Sequence, residues 1–453
     1  MKLVFQPHEK PKFGANIVFA IQQLLAIMAA TLVVPVIIGN GMEPAAALFG
    51  AGCGTLVYLL FTKFRSPVFL GSSFAFLGSM SAAFAGGVSM SLGYLGLILG
   101  AVFAGLVYVV IALLVKFVGV GWLNKLMPAV VIGPTVAIIG LSLAGTAVGD
   151  LQTGGVQVGD ASVANPLICV LIGIVTLVVT TLAATYGKKF SKLIPFIIGI
   201  LSGYALAAIL TVIGNAAEID ALKVLDFSKI TALWDNGVTL KTFFDVPSFT
   251  FLTAVDGIKE WDWSYVGTIA VAYLPVAFVV FAEHVADHKN ISSIIGKDLL
   301  EDPGLSRTLL GDGVGSMVGA LFGGCPNTTY GESVACVAIT RNASVITIVF
   351  AAIGAILISF LSPFVAFVNS IPKCVMGGVC MALYGFIAVS GLKMLQKVDL
   401  GKNRNLFTAS AILIAGVGGL ELTFGDVKIT KVAVALILGI IVNQILSKEK
   451  DEA

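Results

Sequence analysis

The chain is dominated by long apolar segments separated by short polar intervals. A membrane-spanning helix needs about 20 mainly apolar residues. Eleven segments meet this requirement, at residues 17–38, 45–62, 92–117, 126–146, 165–186, 192–213, 264–284, 343–368, 374–395, 407–425 and 430–446. Two further apolar segments, about 67–86 and 311–341, are interrupted by Gly, Ser, Pro, Asn and Thr. The first predicts one broken span, and the second predicts two spans. The pattern predicts an all-α polytopic membrane protein with 14 spans.

Composition supports this class of protein. Hydrophobic residues make up 58% of the chain and charged residues 11%, against roughly 25% charged residues in soluble domains. A net charge of +2 excludes nucleic-acid binding driven by bulk electrostatics. The six cysteines are scattered without a CxxC pair and there are only three histidines, so we expect no disulfide framework and no metal site. The polar, basic N-terminus lacks a cleavage pattern, and we expect no cleaved signal peptide.

The basic residues test the span count. With the N-terminus inside and 14 crossings, 20 of the 27 Lys and Arg residues fall in inner loops or tails. Only Lys373, Lys428 and Lys431 fall in short outer loops, and four more lie in the long segment 214–263. Short inner loops of membrane proteins carry an excess of Lys and Arg, so this distribution favours 14 spans with both termini in the cytoplasm.

The long segment 214–263 separates seven predicted spans from seven more. Two halves of seven spans have opposite orientations in the membrane, and inverted repeats of this kind are typical of transporters. Each half has its broken span in third position. The alternative is that these glycine-rich spans are simply tightly packed helices.

Two glutamates stand out among the 25 carboxylates. Eight carboxylates lie in segment 214–263, and most others lie at predicted span ends or in the tails. Glu283 and Glu332 lie in apolar sequence, and Asp287 follows Glu283 by four residues on the same helix face. Ionisable groups at membrane depth are costly and usually mark a functional pathway. The alternatives are a span-end position for Glu283, a helix-dipole position for Glu332 and a solvated position for Asp287.

Two histidines, His284 and His288, flank this turn of the chain. Because the apolar run ends here, we expect them to be polar residues at the end of a span and not proton relays.

The broken segments GSSFAF (71–76) and PNTTYGE (326–332) predict short unwound stretches that lead into helices. Unwound backbone at membrane depth occurs where protein or a water-filled cavity satisfies it. Free backbone N–H groups and helix N-termini would supply hydrogen-bond donors there. With Glu283 and Glu332 as acceptors, the site suits a small, flat, neutral ligand with alternating N–H and C=O groups. A large or strongly anionic ligand would be repelled.

At these residues the sequence resembles the nucleobase–ascorbate transporter family, also called nucleobase:cation symporter-2, and within it the bacterial uracil permeases. The resemblance covers almost the whole chain. It is carried by residues 22–37, YLLFTKFRSPVFLGSSFAF (58–76), AEHVADH (282–288), GKDLLEDPGLSRTLLGDG (296–313), GGCPNTTYGESVACVAITR (323–341) and residues 371–391.

The resemblance implies a 7+7 inverted repeat divided into a core and a gate domain. Short antiparallel strands in broken spans 3 and 10 would enclose the substrate. The implied parts are 1–125 (core, spans 1–4), 126–213 (gate, spans 5–7), 214–263 (extracytoplasmic loop), 264–368 (core, spans 8–11) and 369–453 (gate, spans 12–14).

The resemblance also implies the substrate-binding residues. Carboxylate contacts fall on Glu283 and Glu332, and backbone amide contacts on Phe74 and Gly331. Tyr330 and Tyr384 match aromatic positions that line the site. The alternative for each of these residues is ordinary packing in the protein core.

The sequence departs from the family at two positions. Some members have a histidine one turn after the first glutamate, where this chain has Asp287. Many members have a histidine after the glutamine of the first span, where this chain has Gln23. If proton coupling needs a titrating group beside Glu283, Asp287 is the candidate.

The implied function is uptake of uracil coupled to proton entry, by alternating access, across the cytoplasmic (inner) membrane. The resemblance implies no cofactor. It does imply a homodimer formed through the gate domain. A xanthine or urate permease of the same family is the main alternative. Related folds carry anions, which paired glutamates disfavour. A membrane-embedded enzyme would carry a motif such as DDxxD, HExxH or GxSxG, which is absent here, and a channel would lack paired broken helices.

Overall fold

The computed structural model describes residues 3–119, 121–158, 161–188, 190–235, 237–424 and 427–448. The helices are α1 (Phe13–Ile38), α2 (Pro44–Phe61), α3 (Leu77–Ala83), α4 (Met90–Val118), α5 (Gly121–Leu126), α6 (Ala129–Ser142), α7 (Ala144–Asp150), α8 (Pro166–Tyr186), α9 (Phe190–Leu193), α10 (Pro195–Ala216), α11 (Ser228–Thr231), α12 (Leu240–Phe243), α13 (Thr250–Gly257), α14 (Trp263–Ile295), α15 (Leu305–Gly323), α16 (Gly331–Thr340), α17 (Val345–Ile358), α18 (Ser362–Ser370), α19 (Lys373–Leu395), α20 (Asn403–Val417) and α21 (Lys431–Ile445). The strands are β1 (Leu70–Ser72), β2 (Gln157–Val158), β3 (Ala161–Ser162), β4 (Asn327–Thr329), β5 (Leu422–Phe424) and β6 (Val427–Ile429), and they pair antiparallel as β1–β4, β2–β3 and β5–β6. The outer limits of the predicted domains, residues 1 and 453, and the counted residues Lys2, Lys189 and Lys450 lie outside the described residues.

Apolar helices make up most of the molecule. In the described part of the chain, eight helical stretches are long and apolar enough to cross a membrane: α1, α2, α4, α6 with α7, α8, α10, α14 and α19. Four shorter apolar helical stretches, at Phe74–Gly87, Gly331–Thr340, Val345–Ile358 and Lys431–Ile445, accompany them. The chain is therefore a mostly helical integral membrane protein.

Helix α14 is much longer than the sequence pattern predicts. The apolar segment 264–284 predicts an end near Glu283, but the helix continues to Ile295 and spans 33 residues, about 50 Å at 1.5 Å per residue. Glu283 consequently lies about 30 Å from the first residue of the helix, with three further turns after it. The helix therefore does not end at Glu283, and the two histidines that follow it, His284 and His288, are buried inside the protein.

Helices α2 and α15 approach each other closely along two glycine pairs, Gly50/Gly54 on α2 and Gly315/Gly319 on α15. A Cβ on Gly50 would lie 2.5 Å from the carbonyl oxygen of Gly319, and one on Gly54 2.6 Å from that of Gly315. Small residues spaced four apart allow such backbone contact between membrane helices. We call these four residues the glycine seam.

An exposed ion cluster joins the segment after α2 to the segment between α14 and α15. The Asp302 carboxylate pairs with the Arg65 guanidinium and accepts a 2.6 Å hydrogen bond from Lys297 Nζ. Hydrogen bonds from Lys297 and then Arg65 lower the pKa of Asp302 below its usual value. The cluster fastens two loops on the same side of the molecule.

Candidate functional site

The two short strands β1 and β4, one from each broken segment, lie side by side, and we call this pair the strand crossing. Strands β1 and β4 pair antiparallel with Gly71 opposite Thr328, and Ser73 N–H donates to Pro326 O at 2.9 Å just beyond the pair. A 3-10 turn beginning at Phe74 follows β1, and α16 follows β4 from Gly331. The first N–H groups of a helix have no partner within that helix, so both strand–helix junctions present backbone donors.

The side chain of Asn327 anchors β4 between two helices. Its Nδ2 donates to Gly50 O at 3.1 Å, and it occupies the space that a Cβ on Gly54 or Gly319 would require. The glycine seam thus has a second role beyond close packing, because it accommodates the amide that fixes the strand crossing.

Three carboxylates face one cavity of about 440 Å³. Glu283 and Asp287 reach it from the same face of α14, and Glu332 reaches it from the first turn of α16. Thr329 Oγ1 donates to Asp287 Oδ2 at 2.9 Å, which connects β4 to α14. On the opposite side, apolar residues of α6 and α19 complete the wall: Val136, Ile139, Leu383, Phe386, Ile387 and Met394.

The aromatic residues expected at the site take two different positions. Phe74 and Tyr330 line the cavity with Gly331, whereas Tyr384 does not line it. The Tyr384 ring packs edge-on behind Phe74, with ring centroids 6.1 Å apart and an interplanar angle of 77°. Tyr330 lies over Gly71, and its hydroxyl donates to Ser72 O at 2.6 Å. Six of the seven residues proposed from the sequence therefore line one cavity.

The structure corrects the expectation for the two histidines. His284 and His288 do not face solvent at a helix end: α14 continues past them, and both are fully buried, with stacked rings 4.0 Å apart. His284 Nδ1 lies 2.7 Å from Asp312 Oδ2 on α15, and His288 Nε2 lies 2.7 Å from Tyr58 OH on α2. These partners, and not solvent, satisfy the two imidazoles, and α14 continues past them to Ile295.

Asp312 is a buried carboxylate that the sequence analysis did not single out. It lies in the segment GDG (311–313), whose glycines resemble a loop, yet the segment is inside α15 and the Asp312 side chain is fully buried. The available signal was its position in the interrupted apolar segment 311–341, where an aspartate needs a polar partner.

Gln23, which stands where many family members have a histidine, also has a defined partner. It is buried on α1, and its Nε2 donates to Ser333 Oγ, the residue after Glu332. Ser333 Oγ also accepts from Phe69 N–H at 3.0 Å, just before β1. The first turn of α16 is thereby tied to α1 and to the β1 segment.

Among the described residues, no group of three or more His, Cys, Asp and Glu side chains could hold a metal ion. The cavity instead combines carboxylate acceptors, backbone donors and aromatic walls. This chemistry suits hydrogen bonding to a small planar molecule.

Comparison with known proteins agrees with this architecture. The model of the permease family matches residues 14–424. The uracil permease of Bacillus caldolyticus is 38% identical over 450 residues, covering 98% of this chain and 95% of the relative. The uracil permease of Escherichia coli (strain K12) is 37% identical over 436 residues, covering 95% of this chain and 91% of the relative.

A solved structure shares the fold at low sequence identity. The transmembrane domain of the cyanobacterial bicarbonate transporter BicA aligns with a TM-score of 0.61 at 13% identity, covering 96% of this chain and 100% of that chain. Since the family model spans most of the sequence and the curated relatives match along nearly their whole length, the chain belongs to the permease family and is a membrane transporter, not an enzyme.

Proposed function

We propose that this protein takes up uracil together with protons by alternating access. The observation that carries the proposal is the convergence of Glu283, Glu332 and the backbone at Phe74 and Gly331 on one cavity at the strand crossing. Uracil is small, flat and neutral, and it offers two N–H donors and two carbonyl acceptors. Relatives named uracil permease, 36–38% identical to this chain over nearly its whole length, support this choice of substrate.

In this mechanism the two glutamates have different roles. Glu332 accepts a hydrogen bond from a pyrimidine N–H, and the N–H groups at Phe74 and Gly331 donate to carbonyl oxygens. Glu283 takes up a proton from the outer side, which removes its charge and lets it donate a hydrogen bond to the substrate. Proton release on the inner side then weakens binding. Asp287, four residues along α14 and bonded to Thr329, is the second proton-coupling group.

Contacts between helices support a 7+7 inverted repeat with 14 spans. The first half comprises α1, α2, β1 with α3, α4, α6, α8 and α10; the second comprises α14, α15, β4 with α16, α17, α19, α20 and α21. In this order α1 corresponds to α14, α4 to α17, α8 to α20 and α10 to α21. The contact between α1 and α17 therefore has its counterpart in the contact between α14 and α4, and the contact between α8 and α10 in that between α20 and α21. The pairs α2–α15 and β1–β4 exchange with themselves.

The same arrangement supports a division into a core domain and a gate domain. The first four elements of each half (residues 1–125 and 264–368) form the core, and the last three (126–213 and 369–453) form the gate. The cavity lies between the groups, with the carboxylates on the core side and α6 and α19 on the gate side. It extends to Lys192 of α9 and to Pro195, the first residue of α10, at the end of the molecule that the distribution of basic residues assigns to the cytoplasm. We infer an inward-open state, in an inner membrane, with both termini cytoplasmic.

A xanthine or urate permease remains the second candidate, because it shares the family. An anion carrier, as the fold likeness would allow, fits poorly because three carboxylates surround the cavity.

Radiolabelled uracil accumulation in proteoliposomes, with and without an inward proton gradient, tests the proposal. We expect accumulation above equilibrium that a protonophore abolishes. Glu283→Gln should lose proton-driven accumulation, whereas Glu301→Gln, an exposed glutamate outside the cavity, should retain it. Full accumulation by Glu283→Gln would overturn the coupling mechanism, and uptake of xanthine in preference to uracil would overturn the substrate.

A further inference from the structure

The segment between α10 and α14 contains a helix whose surface divides into three sectors. Thr250, Ala254 and Gly257 of α13 are buried against the protein. Leu252 and Val255, together with Ile258 at the helix end, leave 59%, 55% and 55% of their surface exposed.

The third sector of α13 is polar. It contains Thr253 and Asp256, whose side chain is 73% exposed and lies 3.7 Å from Lys259 Nζ. At about 100° per residue, the centres of the buried, apolar and polar sectors lie roughly 95–135° apart around the helix axis. A helix that contacts only protein and water has two sectors, one buried and one polar. The exposed apolar sector of α13 therefore indicates contact with a third environment besides protein and water.

The position of α13 identifies that medium. A Cβ on Gly257 would collide with the backbone of Ser91, which lies in the first turn of the membrane-spanning helix α4. Thr250 lies beside Gly324, at the end of α15 on the same side of the molecule. The helix therefore lies at the level where spanning helices begin and end, which is where protein, lipid and water meet.

Two tryptophans lie immediately after α13. Trp261 and Trp263 pack edge to face with ring centroids 5.2 Å apart, and Trp263, the first residue of α14, is 80% exposed. Tryptophan is enriched at the boundary between lipid headgroups and acyl chains. An exposed tryptophan at the first residue of a spanning helix marks that boundary on the molecule.

From these observations we propose that α13 is an interfacial helix that lies in the outer leaflet, with Leu252, Val255 and Ile258 against the acyl chains. Its polar sector faces water and its buried sector seals the outer ends of α4 and α15. The occupant of the apolar face is the lipid bilayer. Helices of this kind bury their apolar face roughly 5–10 Å into the headgroup and acyl boundary. Segment 214–263 carries eight acidic and four basic residues, so a zwitterionic leaflet fits it better than an anionic one.

The test compares neighbouring positions of α13 that differ only in sector. The background variant has all four tryptophans, Trp122, Trp234, Trp261 and Trp263, changed to Phe. A single tryptophan is then introduced into the apolar sector by Leu252→Trp or Val255→Trp. The matched controls, Thr253→Trp and Asp256→Trp, place it in the polar sector. The proteins are reconstituted in phosphatidylcholine vesicles with or without dibrominated acyl chains, which quench tryptophan only at short range. Iodide in the outer buffer is the aqueous quencher.

We expect bromolipid to reduce the fluorescence at positions 252 and 255 at least about twofold more than at 253 and 256, and iodide to give the reverse order. Equal access of iodide to all four positions would overturn the proposal. Protection of positions 252 and 255 from both quenchers would also overturn it, because a protein partner would then cover the face. If the tryptophan-free background does not fold, Trp122→Phe alone leaves Trp234, Trp261 and Trp263 as reporters, and no bromolipid quenching of that variant would refute the proposal.

Discussion

Adding one methyl group at Gly71 should disturb the proposed binding site without touching a ligand. A Cβ at this position would lie 2.5 Å from Cε2 and Cζ of Tyr330 and 2.8 Å from Thr31 Oγ1. Ordinary contact begins at 3.4 Å, so the tyrosine ring must move by 0.9 Å (3.4 minus 2.5). The ring cannot move freely, because its hydroxyl is bonded to Ser72 O in the same strand.

The expected magnitude follows from the cost of overpacking a tight contact, about 1–3 kcal/mol. If that cost falls on the binding-competent state, Gly71→Ala weakens uracil binding roughly 5- to 150-fold. Gly78→Ala is the matched control: it lies seven residues further along, and its Cβ would meet nothing closer than 3.8 Å.

Equilibrium binding of radiolabelled uracil to the purified protein measures the effect, with melting temperature as a check on folding. A double-mutant cycle with Tyr330→Ala isolates its cause, since Gly71→Ala should cost little once the ring is absent. Unchanged binding by Gly71→Ala, or the same loss in the Tyr330→Ala background, would refute the steric explanation.

Three further predictions concern polar contacts. Thr329→Val removes the hydrogen bond to Asp287, and since bonds to charged groups contribute about 1.5–3 kcal/mol, proton-driven uptake should fall about tenfold or more at equal protein level; unchanged uptake would exclude a role for this contact. His284→Ala leaves the buried Asp312 side chain without its hydrogen-bond partner, which should cost about 1–3 kcal/mol and lower the melting temperature. Because ion pairing lowers the pKa of Asp302, its stabilisation is present above the unfolded pKa of about 4 and lost as pH falls through the folded value. Melting temperature should therefore fall more steeply below pH 4 in the wild type than in Asp302→Asn, and parallel curves would contradict this.

The strand crossing could be predicted from the sequence because its composition is unusual at membrane depth. Gly, Ser, Asn and Thr within apolar segments disfavour a continuous helix, and the paired strands β1 and β4 occur in those segments. The carboxylates Glu283 and Glu332 stood out for the same reason, since charge in apolar sequence needs an explanation.

The true length of α14 could not be predicted in this way. Average hydropathy does not distinguish a histidine in water from one buried against an aspartate, and the partner of His284 lies 28 residues away on another helix. Asp312 was missed for the reciprocal reason, because its flanking glycines resemble a loop although they serve helix packing.

The glycine seam also has a genetic consequence. Every amino-acid replacement at Gly50, Gly54, Gly315 or Gly319 adds a Cβ, and each such atom meets backbone or the Asn327 amide at 2.7 Å or less. No codon change that alters these four residues is therefore sterically neutral, whatever its chemistry. In a library of all single substitutions, these positions should form a line of intolerance down two facing helices, while Gly14 and Gly145, with nothing within 4 Å, accept alanine.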